Sequence, residues 1–351
     1  MKNFLTGPTA VSPEVLAQLA SPIFGHHTSE FKALAKELKR GLNLLFDTNG
    51  SVFPFTCSVS AALEATLHNV VVEKLLVLSN GAFGERWAWA ARASGLSVCH
   101  LHADWGEIFD PQAVQRMIEK HHPDTLVMVH GETSTGMLNV IDPIADLLVD
   151  YPNILLVIDA VGTIGGVPLS MKTNRIDVLI GASQKCLALP PGIVPVGVSE
   201  RALQRSESSS RKGYAFNFGL WQEKWQKGET VATPAIPQLK AMAFQLQRIA
   251  EEGLTHRWQR HQTLLEMTTK WAATNGFRPF APCHVLLPSV SCLMPDAKGA
   301  TQPLVDRLRE RGYLIDAGYD KLKNQCLRIG HLGDWRQADL EVLLRTIEDV
   351  L

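Results

Sequence analysis

The chain has no apolar stretch approaching the roughly 20 residues that a membrane-spanning helix needs, and its first residues, Met1-Lys2-Asn3-Phe4-Leu5-Thr6-Gly7-Pro8, lack the apolar run of a secretory leader. It has no excess of either charge: 34 basic residues face 35 acidic ones, for a net charge of −1. That balance leaves no electrostatic footprint for nucleic acid, and no charge run suggests a tail. Its six cysteines, Cys57, Cys99, Cys186, Cys283, Cys292 and Cys326, form no C-x-x-C pair, which argues against zinc. A chain of this length needs no disulfide staples, so reduced thiols in a cytoplasmic protein are expected. Three fingerprints are missing as well. There is no G-x-G-x-x-G, no G-x-x-x-x-G-K-[ST] and no G-x-S-x-G, which removes the signatures of dinucleotide, P-loop and α/β-hydrolase enzymes.

What is present is alternation. Short apolar runs at 52–56, 75–78, 98–101, 126–129, 154–158 and 176–180 are separated by helical periods. One helix is marked by Phe31, Leu34, Leu38, Leu42 and Leu45 at helix spacing. Ser12 before Pro13 predicts an N-cap with proline at the first helical position. Runs apolar on both faces and alternating with helices imply a mostly parallel sheet covered on both sides. Such sheets bind ligands beyond the carboxyl ends of their strands, and Ser58, Asn80, His130, Asp159 and Ser183 fall just after apolar runs. Residues 234–271 read as helical. Beyond Gly276 strand candidates at 285–287, 313–315 and 327–329 mix with helices at 302–311 and 337–350. The expected division is an N-terminal arm at 1–15, a large domain at 16–252 and a small α+β domain at 253–351.

Two charged residues stand where charge is costly. Asp159 ends the run Ile154-Leu155-Leu156-Val157-Ile158, and Lys185 follows Val178-Leu179-Ile180 within Gly181-Ala182-Ser183-Gln184-Lys185. A carboxylate at a buried strand end needs a partner. An aspartate and a lysine meeting over the crevice suit pyridoxal phosphate. The lysine would form a Schiff base, and the aspartate would keep the pyridine nitrogen protonated so that the ring can draw electrons. Either residue alone would more often be a helix cap or a solvated surface group.

Their company changes that balance. His130-Gly131-Glu132-Thr133-Ser134-Thr135-Gly136, Asp159-Ala160-Val161-Gly162 and Ser183-Gln184-Lys185-Cys186-Leu187 closely resemble the class V aminotransferases, above all their alanine–glyoxylate and serine–pyruvate group. Leu5-Thr6-Gly7-Pro8-Thr9, Asn80-Gly81-Ala82-Phe83-Gly84-Glu85-Arg86, Thr233-Pro234 and Leu327-Arg328-Ile329-Gly330 also fit, in the family order. The resemblance implies fold type I, with a seven-stranded type of sheet in the large α/β domain and a smaller α+β domain. It implies a pyridoxal 5'-phosphate enzyme that moves an amino group from alanine or serine to glyoxylate or pyruvate. Lys185 matches the Schiff-base lysine, Asp159 the pyridinium partner, Gln184 and Thr133 neighbours of the ring, and Phe83 an aromatic stacked on it. Ser58, Val59 and Ser60 fall where backbone and hydroxyl donors cradle the phosphate at a helix start; Cys57 and Val59 replace glycines common there. Thr233 matches a residue that reaches the phosphate from the other subunit of a homodimer. Arg328 matches the arginine that holds the substrate carboxylate in its planar fork, with Gly7 beside the substrate.

Rival readings remain open at this level. Other class V enzymes include cysteine desulfurases, lyases and aminoethylphosphonate transaminases. A desulfurase needs a mobile nucleophilic cysteine, for which Cys283 and Cys292 are the candidates, and usually carries histidine where Gln184 stands. A non-catalytic protein on the same fold is a further alternative. His100-Leu101-His102-Ala103-Asp104 resembles half of a metallohydrolase motif, but Trp105 follows where histidine is expected, so no metal is assigned. His26-His27 falls in a segment the family keeps near the active-site mouth, His121-His122 ends a helix before Pro123, and Trp87 and Trp89 read as packing or interface residues.

Overall fold

A computed structural model describes residues 1–297 and 299–351. All six apolar runs are strands of one sheet: β1 (Ser51–Thr56), β2 (Lys74–Ser79), β3 (Ser97–His102), β4 (Thr125–Val129), β5 (Leu155–Asp159) and β6 (Val178–Ile180). A seventh, β7 (Ile193–Val198), completes the order β1-β7-β6-β5-β4-β2-β3. β7 pairs antiparallel with both neighbours, and the other strands are mutually parallel. β4 and β5 are buried at every position, as strands covered on both faces must be.

β7 was not among the expected strands, and it carries Pro195 and Gly197, residues that disfavour a strand interior. The register explains their tolerance. Pro195 faces Pro54 of β1, so neither residue asks the other for an N–H that is missing. Gly197 leaves room for Phe46 and Met171 to pack against the strand.

Helices Ser29–Phe46, Val59–Val70, Ala82–Ala93 and Ile236–Glu252 carry the large apolar core. In the first, Phe31, Leu34, Leu38, Leu42 and Leu45 are all buried, as their spacing requires. Helix Pro13–Leu19 begins at Pro13, but Ser12 makes no side-chain cap; its hydroxyl accepts from Arg248 Nη1 at 3.0 Å instead. Gly253 (φ +81°) separates Ile236–Glu252 from Leu254–Thr274.

A second core gathers Leu264, Trp271, Leu293, Ile329, Leu340 and Ile347. It lies against a three-stranded antiparallel sheet of β8 (Phe277–Pro279), β9 (Val290–Pro295) and β10 (Leu327–Gly330). The expected strand at 285–287 is replaced by a 3-10 turn, Cys283–Val285. Pro282 and Pro288 flank that segment, and the extended run starts only beyond the second proline. Phe4 also belongs to this core and stacks on Trp335 at 4.0 Å. Lys2–Asn3 adds a parallel strand to Tyr313–Leu314. The amino-terminal segment is thereby pinned beside β10, and residues 5–9 run across the carboxyl edge of the large sheet.

Candidate active site

The parallel pairing of β5 and β6 sets Asp159 opposite Ile180, which brings the loop after β6, and Lys185 with it, over the carboxyl end of β5. A cavity of about 280 Å³ opens there. Eight of the residues singled out from the sequence line it: Gly7, Val59, Ser60, Phe83, Thr133, Asp159, Gln184 and Lys185. Ser58, Thr233 and Arg328 do not.

Asp159 is buried, and both of its oxygens are engaged. Trp87 Nε1 donates to Oδ2 at 2.8 Å, and the Val161 N–H donates to Oδ1 at 3.0 Å. Burial pushes its pKa up, against these two donors and the nearby Lys185 and Arg86 charges. Lys185 is also buried. Burial, reinforced by the Arg328 charge, lowers its amine to about 8 from the ordinary 10.5. Its Nζ donates to the Thr6 carbonyl. Gly7 is essential to that approach: its φ is +121°, and a Cβ there would stand 2.6 Å from Lys185 Nζ.

The cavity floor is built by helix starts. Helix Val59–Val70 begins at the wall, with Ser58 as N-cap accepting from the Ala61 N–H at 3.3 Å. The first N–H groups of such a helix have no intrahelical acceptor, so those of Val59 and Ser60 are free for an anion. Ser58 is thus foremost a cap, and its hydroxyl is exposed beside the cavity. Helix Ala82–Ala93 starts at Gly81, which has no side chain to cap with. Glu132 does so instead, accepting from the Phe83 and Gly84 N–H groups, each at 3.1 Å, and from Ser134 Oγ at 2.5 Å. Burial raises the Glu132 carboxyl to about 7. This cap fixes Phe83, whose ring is stacked against Tyr319 with centroids 5.5 Å apart.

Arg328 lies on β10, 4% exposed, behind Tyr319 rather than on the cavity wall. It donates to the Thr133 carbonyl at 3.1 Å and to Asp316 at 3.2 Å. Thr233 is exposed. It does not cap the following helix, whose N-cap is Ala235.

Trp87, Arg86, Tyr319 and Asp316 are site neighbours that the sequence did not mark. Tyr319 accepts from Arg86 at 2.7 Å across 233 residues of chain, a contact with no local sequence signal. Trp87 could have been found: it lies four residues after Phe83 and so shares its helix face. Among the described residues no group of histidine, cysteine and acidic side chains is arranged to hold a metal. His100 bonds Ser79 at 2.6 Å instead. Neither Cys283 nor Cys292 lines the cavity.

A buried amine of lowered pKa, a fully buried carboxylate, an aromatic wall and a free helix start fit pyridoxal phosphate, whose aldehyde, ring nitrogen, flat ring and phosphate require those four partners. Fold and cavity together define a pyridoxal-phosphate enzyme of fold type I. The chain belongs to the class-V aminotransferases, whose family model matches residues 28–294, and is accordingly a pyridoxal-phosphate-dependent transaminase. It is 30% identical to the alanine–glyoxylate aminotransferase of Oryctolagus cuniculus, over 93% of this chain and 86% of that protein. An uncharacterised aminotransferase of Methanocaldococcus jannaschii is 29% identical over 98% of this chain and 91% of its own length. The crystal structure of an alanine–glyoxylate aminotransferase from Nostoc sp. superposes with a TM-score of 0.94, at 27% identity, covering 99% of this chain and 94% of that one.

Proposed function

We propose that the protein transfers the amino group of L-alanine or L-serine to glyoxylate or pyruvate, with the cofactor held covalently through Lys185. The observation that carries this reading is the union in one cavity of Lys185, lowered to about 8, with the buried, doubly bonded Asp159. The alanine–glyoxylate enzymes among its relatives support the choice of substrates.

When bound, pyridoxal phosphate supplies a carbonyl for the amino group and a ring that accepts electrons from the substrate α-carbon. The protein supplies the rest. Lys185, whose amine is lowered to about 8, would remove the α-proton and redeliver it, serving as general base and then general acid. Asp159 would hold the ring nitrogen and keep it protonated. The Val59 and Ser60 N–H groups bind phosphate at the helix start, with the Ser58 and Ser60 hydroxyls beside them. Phe83 would stack on the ring, with Thr133 and Gln184 beside it. Gly7 lets the Lys185 side chain pass and lies beside the substrate, whose carboxylate Arg328 would receive in its planar fork.

Thr233 is exposed and off the cavity in the single chain. That suits a residue serving the phosphate of a second subunit, so the proposed working form is a homodimer with shared sites. The six free cysteines support a reducing compartment, the cytoplasm.

The experiment is reduction of the cofactor-loaded protein with borohydride, followed by peptide mass analysis. The cofactor mass is expected on the peptide containing Lys185, and Lys185→Ala is expected to lose transfer from alanine to glyoxylate while still binding the cofactor. Label on another lysine, or full activity in Lys185→Ala, would overturn the assignment.

A further inference from the structure

Arg328 is not free. Its backbone pairs with that of Asp316 across an antiparallel bridge, Asp316 N–H to Arg328 O at 3.2 Å and the reverse at 2.8 Å. The two side chains are therefore direct cross-strand neighbours. Asp316 Oδ2 accepts from Arg328 Nη2 at 3.2 Å and also from the Thr6 N–H at 3.3 Å and the Thr6 hydroxyl at 2.9 Å. Thr6 in turn presents its carbonyl to Lys185 Nζ. The guanidinium has two further settings to meet. Nη1 is used by the Thr133 carbonyl, and Nε is buried with no partner.

Nε and Nη2 form one edge of the guanidinium, the edge that binds a carboxylate through two parallel hydrogen bonds. Asp316 takes one half of that edge and leaves the other half bare. A buried N–H without a partner is costly, so the pair is a half-satisfied one in a place where a substrate carboxylate would satisfy both donors. Two carboxylates cannot share the edge.

Resting on the reading of Arg328 as the carboxylate receiver, we propose that Asp316 is a specificity-determining residue, an internal carboxylate that occupies Arg328 until a substrate carboxylate displaces it. Two consequences follow from charge. Binding of any amino or oxo acid is weaker than the arginine alone would give, because Asp316 must be displaced from its partner. The displaced carboxylate then stays beside the ligand, tethered to Thr6, and repels a second negative group. The site thereby favours acids with one carboxylate and a small neutral side chain over dicarboxylic acids.

The test is calorimetric titration of the cofactor-loaded protein with propionate and with succinate, neither of which has an amino group to react. Wild type is compared with Asp316→Asn, which keeps the shape and an acceptor for Thr6, with Asp316→Ala, and with Arg328→Ala. The dissociation constant for propionate is expected to fall roughly five- to tenfold in both Asp316 variants, the range of a single charge-assisted contact. Succinate should gain more than propionate, and Arg328→Ala should bind neither. Propionate binding that is unchanged or weaker in both Asp316 variants, with binding still lost in Arg328→Ala, overturns the proposal and makes Asp316 a mere support for Arg328. Equal gains for the two acids overturn the selectivity. Binding that survives in Arg328→Ala overturns the reading of Arg328 itself.

Discussion

Arg257 and Arg328 are both buried arginines, 2% and 4% exposed, and they are treated in opposite ways. Arg257 donates through Nε to the Gly165 carbonyl at 3.2 Å, through Nη1 to Glu252 at 2.8 Å and Asp334 at 3.0 Å, and through Nη2 to the Cys186 carbonyl at 2.7 Å. Every nitrogen is used and two carboxylates balance the charge. Arg260 and Arg336 extend the network through Glu252. Arg328 has one carboxylate, one carbonyl and a bare Nε. A buried cation with all its donors matched is a joint between elements; one left unmatched marks the place where a ligand completes the set. Arg257 joins the Gly165 and Cys186 carbonyls to Glu252 and Asp334, whereas Arg328 keeps an unmatched donor behind Tyr319.

That contrast can be broken most directly by removing each arginine. Arg257→Ala leaves the Gly165 and Cys186 carbonyls without their donor and takes one cation from Glu252 and from Asp334, and is expected to cost about 2–5 kcal/mol, seen as a large drop in the denaturation midpoint. Arg328→Ala should cost far less stability and instead abolish carboxylate binding. Equal stability losses in the two variants would erase the distinction. Next in size is Trp87→Phe, which removes one of the two donors to Asp159. An unpaired buried carboxylate oxygen favours protonation, so cofactor affinity is expected to fall about tenfold, measured by quenching of protein fluorescence as pyridoxal phosphate is added.

Two pH experiments sharpen the same comparison. Burial pushes the Glu252 carboxyl up, but Arg260 and Arg257 outweigh it and hold it at about 2, below its ordinary 4.5. Its folded pKa is depressed, so its contribution to stability is complete above about 4.5 and is lost as pH falls toward about 2. Acid unfolding of the wild type should therefore steepen in that window, and Glu252→Gln should flatten it. Lys185, lowered to about 8, becomes a free amine as pH rises through that value. The rate of cofactor attachment to the apoprotein should climb across pH 7 to 9 with its midpoint near 8; a midpoint near 10 would mean that the amine is not buried in solution. The smallest effect is expected for Ser58→Ala, which removes a helix cap worth about 1 kcal/mol and leaves the backbone donors of Val59 and Ser60 in place.

Local patterns announced most of the large sheet and the polar residues at its carboxyl edge. Six apolar runs became six strands because burial on both faces leaves little choice of residue. The seventh strand escaped notice because its tolerance of Pro195 depends on Pro54, 141 positions away. The 285–287 segment misled in the other direction, since three apolar residues between prolines resemble a strand until the register is known. At the site, residues whose place follows from chain position, such as Asp159 at a strand end and Lys185 after one, were legible. Residues whose role depends on a distant partner were not: Tyr319 meets Arg86 and Phe83, Asp316 meets Arg328 and Thr6, and nothing local in 316–319 foretells it. Trp87 was read as a packing or interface residue. It is buried, and it is also a hydrogen-bond donor to Asp159.

The central claim is tested most directly by the visible absorption spectrum of the protein loaded with pyridoxal phosphate, recorded before and after L-alanine or L-serine is added and again after glyoxylate or pyruvate. A visible band that disappears with the amino acid and returns with the oxo acid is the predicted result, absent in Lys185→Ala. A protein that takes up no cofactor, or a band that neither substrate moves, would contradict the account.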